Sequence, residues 1–420
     1  MNSTELTARA RRGIVGLLAA VLLINFVDRG AVPTAAPMIQ DELGLSVREL
    51  GLLFSAFFWS YSLLQIPLGW VAERVGVHRV LAAGICIWAC ATMLVGLVHS
   101  FAILLALRLL LGLGESAGFP CVSKLLASVV PVKDLATANG IITCLYLLGP
   151  AVGTYCGGLL IVHYGWRAQF FVFGGLSLLW LLPWSQVRLP KQVVQTQVDQ
   201  GPTLSEILKQ RSLWGTALGL FSTNYSFYVM LTWLPYYVMR ERGFSTADMA
   251  SIAGMAYAVN ALSALIAGFV IDRFVRSGHA NFAYKSVMVV AHLGTVVCMV
   301  CIAVAAKPWA LAAIFFYEVL SGASSTGCFA ISQILAGPTA SARWVGVQNA
   351  CGNFAGVIAP ALTGLLVEET HHFTGAFVLA GSMSVLGVVG WVLMVPNLAP
   401  IPWRRLKGST LPTAGATPLH

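Results

Sequence analysis

Residues 69–79 read Gly69-Trp-Val-Ala-Glu73-Arg74-Val-Gly76-Val-His-Arg79, and 199 positions after Gly69 a shorter version follows, Gly268-Phe-Val-Ile-Asp272-Arg273. Each copy closes a long apolar run with a small residue, an acid and an arginine. A small residue at a helix end lets a neighbouring helix come close, while the acid and guanidinium can bond exposed backbone groups beside them. One copy of such a pattern says little, but recurrence at the same place in two halves of a chain marks a duplicated unit.

The composition around the repeat sets the solvent. Of 420 residues 58% are hydrophobic and 10% charged, where a soluble domain has roughly a quarter of its positions charged. Some 244 apolar residues, at about 20 for each crossing of the hydrocarbon core, suffice for roughly twelve helices. Little is left for a separate soluble domain. A nucleic-acid partner would require the net charge of +9 to cluster on a folded polar face, and the sequence offers none. The nine cysteines fall in apolar runs and read as packing residues, including the Cys298/Cys301 pair; no metal site is expected. No nucleophile and base pair, metal cluster or cofactor loop emerges, so an enzyme is not expected.

Apolar runs between polar breaks predict helices near 14–36, 50–72, 79–98, 102–122, 136–161, 168–187, 214–238, 249–271, 285–306, 309–335, 343–367 and 375–395. With the first polar segment in the cytoplasm, 18 of the 25 Lys and Arg fall on that side and five on the other, as the positive-inside rule asks. The longest polar break, Arg188 to Ser212, has six predicted helices on either side. The expected layout is an all-α membrane protein: a six-helix bundle over 1–187, a cytoplasmic linker over 188–213, a second bundle over 214–396 and a cytoplasmic tail over 397–420.

Ionisable residues within the predicted spans are few: Asp28 and Arg29 in the first, Arg108 and Glu115 in the fourth and Glu318 in the tenth. Each costs about 2.5–3.5 kcal/mol even on the mildest insertion scale, which makes it a functional candidate. Asp28 lies about 21 Å from the cytoplasmic face and Arg108 about 9 Å from the outer one, nearly level in a core about 30 Å thick. Arg108 and Glu115 are seven apart, on one helix face. Two carboxylates and two guanidiniums sum to zero; two protons added make the site +2 and attractive to an anion, so proton and anion binding favour each other.

The first repeat copy resembles the signature between helices two and three of the major facilitator superfamily, a fold of two six-helix bundles around a central site. Glu73 replaces the commoner Asp, and His78 stands where a basic residue is usual. NFVDRGAVPTAAP from Asn25, Arg108-LLLGLG-Glu115-SAGFP, NYSFYVMLTWLPYY from Asn224 and Asn349-ACG-Asn353-FAGVIAP together resemble the superfamily's anion:cation symporters. That family includes bacterial sugar-acid transporters, carriers of aromatic acids, sialin and the vesicular glutamate carriers. The resemblance implies that Asp28 and Glu115 carry protons, that Arg29 grips the substrate carboxylate and that Arg108 is an ion-pair partner. Tyr61, Tyr146 and Asn349 match pocket positions; Asn224, Tyr225 and Tyr228 face the cavity from the other half.

Phe329 stands where the sugar-acid members have Trp, and Tyr146 where a smaller amide occurs. Gly69, Glu73, Arg74, Gly76 and Arg79, with Gly268, Asp272 and Arg273, form the cytoplasmic gate motif. The implied function is proton-coupled import of a small organic carboxylate, a sugar acid first, by a monomer in a bacterial inner membrane with both termini cytoplasmic and no cofactor besides protons. Two alternatives stay open. One is an aromatic or amino-acid-like substrate. The other is a proton/drug antiporter, because Gly140, Gly149-Pro150 and Gly153 partly match its motif.

Overall fold

The computed structural model describes residues 7–130, 132–187, 202–337, 340–395 and 397–403. Most of the predicted linker, the tail from 404 and the side chain of Glu73 lie outside the described residues. Among these residues the chain is all helical: α1 (Ala8–Leu43), α2 (Val47–Val75), α3 (Val77–Val95), α4 (Phe101–Glu115), α5 (Gly118–Val129), α6 (Val132–Tyr164), α7 (Trp166–Leu179), α8 (Leu181–Ser185), α9 (Leu204–Leu208), α10 (Arg211–Arg240), α11 (Thr246–Arg276), α12 (Ala280–Val304), α13 (Lys307–Ala336), α14 (Ser341–Thr370) and α15 (Thr374–Val388), the last continued by a π turn over Val389–Met394. Without water to bond exposed amides, helices satisfy their backbone internally.

The predicted ranges fall on these helices, with local differences. The fourth is broken between Glu115 and Gly118 into α4 and α5, and the sixth at Trp180 into α7 and α8. A short helix, α9, lies where only a polar linker is expected, opened by a capping box between Thr203 and Glu206. Capping is clearest at α2, where the Ser46 hydroxyl accepts from the Glu49 amide at 3.1 Å and Glu49 accepts from the Ser46 amide at 2.8 Å.

Ten helical stretches are long and apolar enough to cross a membrane, by length and composition. The other two long helices, α2 and α10, run to 29 and 30 residues and carry the polar and aromatic side chains of the central site. In the first half α1 packs on α6, α3 lies against α4 and α7, and α2 against α4. In the second α10 packs on α14 and α15, α11 on α13, and α12 on both α13 and α15. The halves meet where α2 faces α14, α6 faces α11 and α1 faces α10.

Hydrogen bonds fix which helix ends lie together. Arg240 at the end of α10 bonds Asp41 near the end of α1; the Arg48 amide at the start of α2 donates to Glu368 near the end of α14 at 2.7 Å; Arg167 at the start of α7 pairs with Glu42 at 2.6 Å. This is the end predicted to face outward. There the two halves touch closely: a Cβ on Gly51 would lie 2.8 Å from the Pro360 carbonyl oxygen and 3.0 Å from Gly364 Cα. At the opposite end His78 stacks on Trp184, and Arg211 donates to the Leu393 carbonyl at 3.1 Å.

The repeat copies occupy matching places. Gly69 of α2 faces Pro120 of α5, and Gly268 of α11 faces Thr326 of α13, where a Cβ would meet its neighbour at 3.7 and 3.6 Å. These are ordinary contact distances, so neither glycine is required for the close approach that the sequence suggested. Gly76 has a different reason to be glycine: it ends α2 at φ +103°, where a Cβ is strained. Arg74, Arg79, Asp272 and Arg273 are exposed at this end.

The cysteines do not share one environment, and Cys144, Cys301 and Cys351 are half-buried. Cys121, Cys298 and Cys328 are buried packing residues as expected, whereas Cys86, Cys90 and Cys156 lie on the outer surface of the helices. An apolar run in a membrane helix has a face turned to lipid as well as a face turned inward, and composition does not separate the two.

A buried charge cluster between the first and fourth helices

Two close approaches of backbone build the site. On one side Gly149 and Gly153 bring α6 onto α1: a Cβ at Gly153 would stand 2.5 Å from the Val27 carbonyl oxygen, and one at Gly149 would overlap Phe26 Cβ. The glycine stripe is thus consumed in helix packing. On the other side Gly112, between Arg108 and Glu115, brings α4 onto α2 at Phe57 and Ser60. Ser60 Oγ donates to the Leu109 carbonyl at 2.7 Å across this seam. Within α1, Pro33 follows the site, and its ring removes the amide that would bond the Arg29 carbonyl.

Between these seams the Arg29 Nε donates to Glu115 Oε2 at 3.0 Å, with both side chains buried. The guanidinium carbon lies 4.3 Å from the Phe26 ring centroid, 4.4 Å from Tyr61 and 5.1 Å from Phe57. Arg108, expected as the ion-pair partner, donates from Nε to the Leu53 carbonyl at 3.3 Å, and its guanidinium carbon lies 5.2 Å from the Phe57 ring centroid. In this conformation the guanidinium on Glu115 is therefore that of Arg29. Asp28 bonds neither arginine directly; Ser177 Oγ of α7 donates to its Oδ2 at 3.3 Å.

The other half closes the site through α10 and α14. Tyr228 Oη donates to Asn353 Oδ1 at 2.8 Å while its ring lies 4.4 Å from that of Phe58 in α2. Asn349 Nδ2 donates to Gln65 Oε1 at 3.3 Å, joining the halves. Tyr61 is buried and Tyr146 half-buried; Tyr146 packs at 4.9 Å on the Phe26 ring that supports Arg29. Tyr225 is buried with its hydroxyl unpartnered. Asn224 stands against Gly352 of α14, and Phe329 packs against the core cluster of Leu213, Trp344 and Trp391. Neither touches Arg29 by a hydrogen bond or ring contact among the described residues.

Buried polar atoms without a partner concentrate here: both amide atoms of Asn25, Asp28 Oδ1, Arg29 Nη2, Arg108 Nη1, Glu115 Oε1 and Gln65 Nε2. Unsatisfied groups are rare in native interiors, and a cluster of them marks a place where water or a ligand bonds. Phe57 and Gln65 were not singled out by sequence reasoning, and Asn25 and Asn353 entered it only as members of motifs, with no role assigned. Phe57 and Tyr61 are four apart on α2, and Asn25 four before Arg29 on α1, so helical spacing from the charged residues would have found them.

Two buried ionisable groups belong elsewhere. His292 of α12 accepts at Nε2 from Trp391 Nε1, 3.1 Å away. An indole only donates, so the ring proton sits on Nδ1, which faces Ser384 Oγ at 2.9 Å. Both nitrogens are committed and His292 is a bonded core residue. Glu318 of α13 accepts from Asn260 Nδ2 of α11 at 2.8 Å, beside further α11–α13 bonds from Ser263 to the Val319 carbonyl and from Thr326 to the Ala264 carbonyl. It lies in an interhelical seam. No group of His, Cys, Asp and Glu suited to a metal occurs among the described residues.

The sequence profile of the Major Facilitator Superfamily matches residues 18–360. The probable sulfoacetate transporter SauU of Cupriavidus necator is 29% identical, over 93% of this chain and 95% of that protein. The hexuronate transporter of Bacillus subtilis is 29% identical, over 89% and 92%. Among solved structures, a bacterial homolog of the human lysosomal transporter Spinster, in an inward-facing and occupied conformation, superposes with a TM-score of 0.79 at 19% identity, over 93% of this chain and 98% of that one.

Proposed function

The chain belongs to the Major Facilitator Superfamily, and from that premise we propose that it is a proton-coupled symporter importing a small organic anion, a sugar acid first, by alternating access. The observation that carries this reading is the buried Arg29–Glu115 pair beside a second acid, Asp28, with free bonding capacity on all three. A guanidinium keeps its charge, so only the acids can vary. A proton on Glu115 removes the charge that holds Arg29 and frees a planar donor fork for a substrate carboxylate. A proton on Asp28 adds positive balance that the anion offsets. Loss of both protons on the far side restores the Arg29–Glu115 pair and expels the anion. More than one proton per monovalent anion makes the cycle electrogenic.

The two relatives are named for hexuronate and sulfoacetate, both carboxylates, which supports an anion. We read α2 and α10 as spans alongside the ten apolar helices, giving twelve in two bundles of six over 1–187 and 214–396. The residues of 188–213 and 397–420 then lie in the cytoplasm, and one chain in a bacterial inner membrane suffices for the pathway. In this reading the inter-half contacts of Gly51, Arg48 and Asp41 close the outer side, and the substrate leaves inward. Arg29, Tyr61, Tyr146 and Asn349 hold the anion, with Asn224, Tyr225 and Phe329 around it, while Arg108 tunes the acids.

The deciding experiment is uptake into proteoliposomes under an imposed pH gradient, with hexonates, hexarates, aromatic acids, glutamate, sulfoacetate and a cationic dye offered in turn. Accumulation of one acid with inward proton flow is expected. Movement of dye against the proton flow, with no acid accumulating, would replace symport by antiport.

A further inference from the structure

Asn25 lies on α1 four residues before Arg29 and three before Asp28, so the three share one side of the helix. It is 1% exposed, and both its amide nitrogen and its amide oxygen lack a hydrogen-bond partner. Its carboxamide lies beside the Glu115 carboxylate, close enough to interact with it yet outside hydrogen-bond distance; Glu115 Oε1 and Arg29 Nη2 are unpartnered as well. Three adjacent groups thus present a cationic donor, an amide that both donates and accepts, and a carboxyl.

A buried amide whose bonding capacity is left open is costly, and a side chain kept in that state repays the cost by bonding something during the working cycle. The partner must both accept and donate. Of the groups on a small organic acid, a carboxylate or sulfonate only accepts; a hydroxyl does both. Asn25 stands one helical turn, about 5.4 Å, from Arg29, so with a carboxylate on the Arg29 fork the amide would be within reach of a substituent on the carbon adjacent to that carboxylate.

We propose that Asn25 is a specificity-determining residue that reads the hydroxyl on C2, making the substrate class 2-hydroxycarboxylates rather than simple or sulfonated acids. The proposal rests on the assignment of Arg29 as the carboxylate grip. Asn25 donates to the hydroxyl oxygen and accepts its proton in the bound state, and an acid lacking that hydroxyl leaves the amide unpaired, the situation in which hydrogen-bonding sites discriminate most strongly.

The test measures KM for D-galactonate and for its 2-deoxy analogue, with sulfoacetate as a third probe, in wild type, Asn25→Ala and Asn25→Ser. Wild type is expected to favour the hydroxylated acid at least tenfold. Asn25→Ala should reduce that preference to within about twofold by weakening only the hydroxylated acid, and Asn25→Ser, which keeps a donor and acceptor, should recover part of it. Equal weakening of both acids by Asn25→Ala, or a wild type that does not discriminate, overturns the proposal. Should Asn25→Ala not fold, a discrimination unchanged in Asn25→Ser has the same consequence. Absence of any carboxylate uptake in wild type instead removes the underlying transport reading, a result the preference ratio does not mimic.

Discussion

Arg29 and Glu115, 86 positions apart, form an ion pair at 3.0 Å whose side chains are 5% and 0% exposed. A pair so deep is stable only while both charges are present, since removal of one leaves the other unpaired in a poor solvent. The pair therefore ties helix packing and protonation to one bond, and its variants should separate the two.

Glu115→Gln keeps an acceptor for Arg29 and loses the proton. Proton-driven accumulation should vanish while substrate exchange at equal concentrations continues within a few-fold of wild type. Glu115→Ala should in addition lower stability by about 3–5 kcal/mol in a thermal melt of the detergent-solubilised protein. Net uphill uptake by Glu115→Gln would refute the coupling role.

Arg29→Lys keeps the charge and loses the planar fork. KM for the carboxylate should rise at least tenfold, about 1.4 kcal/mol. Arg108→Lys, at a residue bonded to the Leu53 carbonyl, should change KM less than threefold. Equal effects of the two substitutions would mean that the arginines share the substrate.

Gly153→Ala places a methyl group 2.5 Å from the Val27 carbonyl oxygen, against backbone that cannot move without shifting Asp28 and Arg29. A loss of about 1–3 kcal/mol is expected, with transport falling together with stability. Gly140→Ala, where a Cβ meets nothing within 4 Å, should be silent in the same melt.

Asp41→Asn weakens a bond to Arg240 that closes the outward end. Both side chains are well exposed, 67% and 39%, so the shift is small: about 0.2–1 kcal/mol, or 1.4- to 5-fold. A cysteine placed at Ser55, whose hydroxyl bonds the Val357 carbonyl across the seam, should label faster from outside by that factor. Arg240→Gln should do more, because Arg240 also donates to the Pro37 carbonyl at 3.0 Å.

His292→Gln should lower stability by about 1–3 kcal/mol through the bonds lost to Trp391 and Ser384. The dependence of uptake on pH should stay that of wild type, since both ring nitrogens are already committed. A displaced pH profile would make His292 part of the coupling.

The helices were legible because lipid leaves a chain so few choices: an apolar run of sufficient length must be helix. Asp28, Arg29, Arg108 and Glu115 were legible because charge in such a run is expensive. Local sequence could not supply the partners. Depth arithmetic set Arg108 level with Asp28, yet level residues meet only if they share a facing side, and helix rotation is fixed by contacts such as Gly153 on Val27 and Gly112 on Phe57. Those contacts turn Arg29 onto Glu115 and leave Asp28 with Ser177.

The same reason separates the polar residues of the second half. His292, Glu318 and Tyr225 are all polar groups in apolar helices. Packing gave His292 bonds to Trp391, Ser384 and Thr223 and Glu318 one to Asn260, and left the Tyr225 hydroxyl unpaired. By itself the sequence determined the solvent, the helices and the charged residues, because hydrophobicity and period are properties of the local chain. Only the tertiary structure decided which charges pair and that Asn25 is buried beside Glu115 with its amide outside hydrogen-bond distance of any group, because those depend on how close and at what rotation two helices pack.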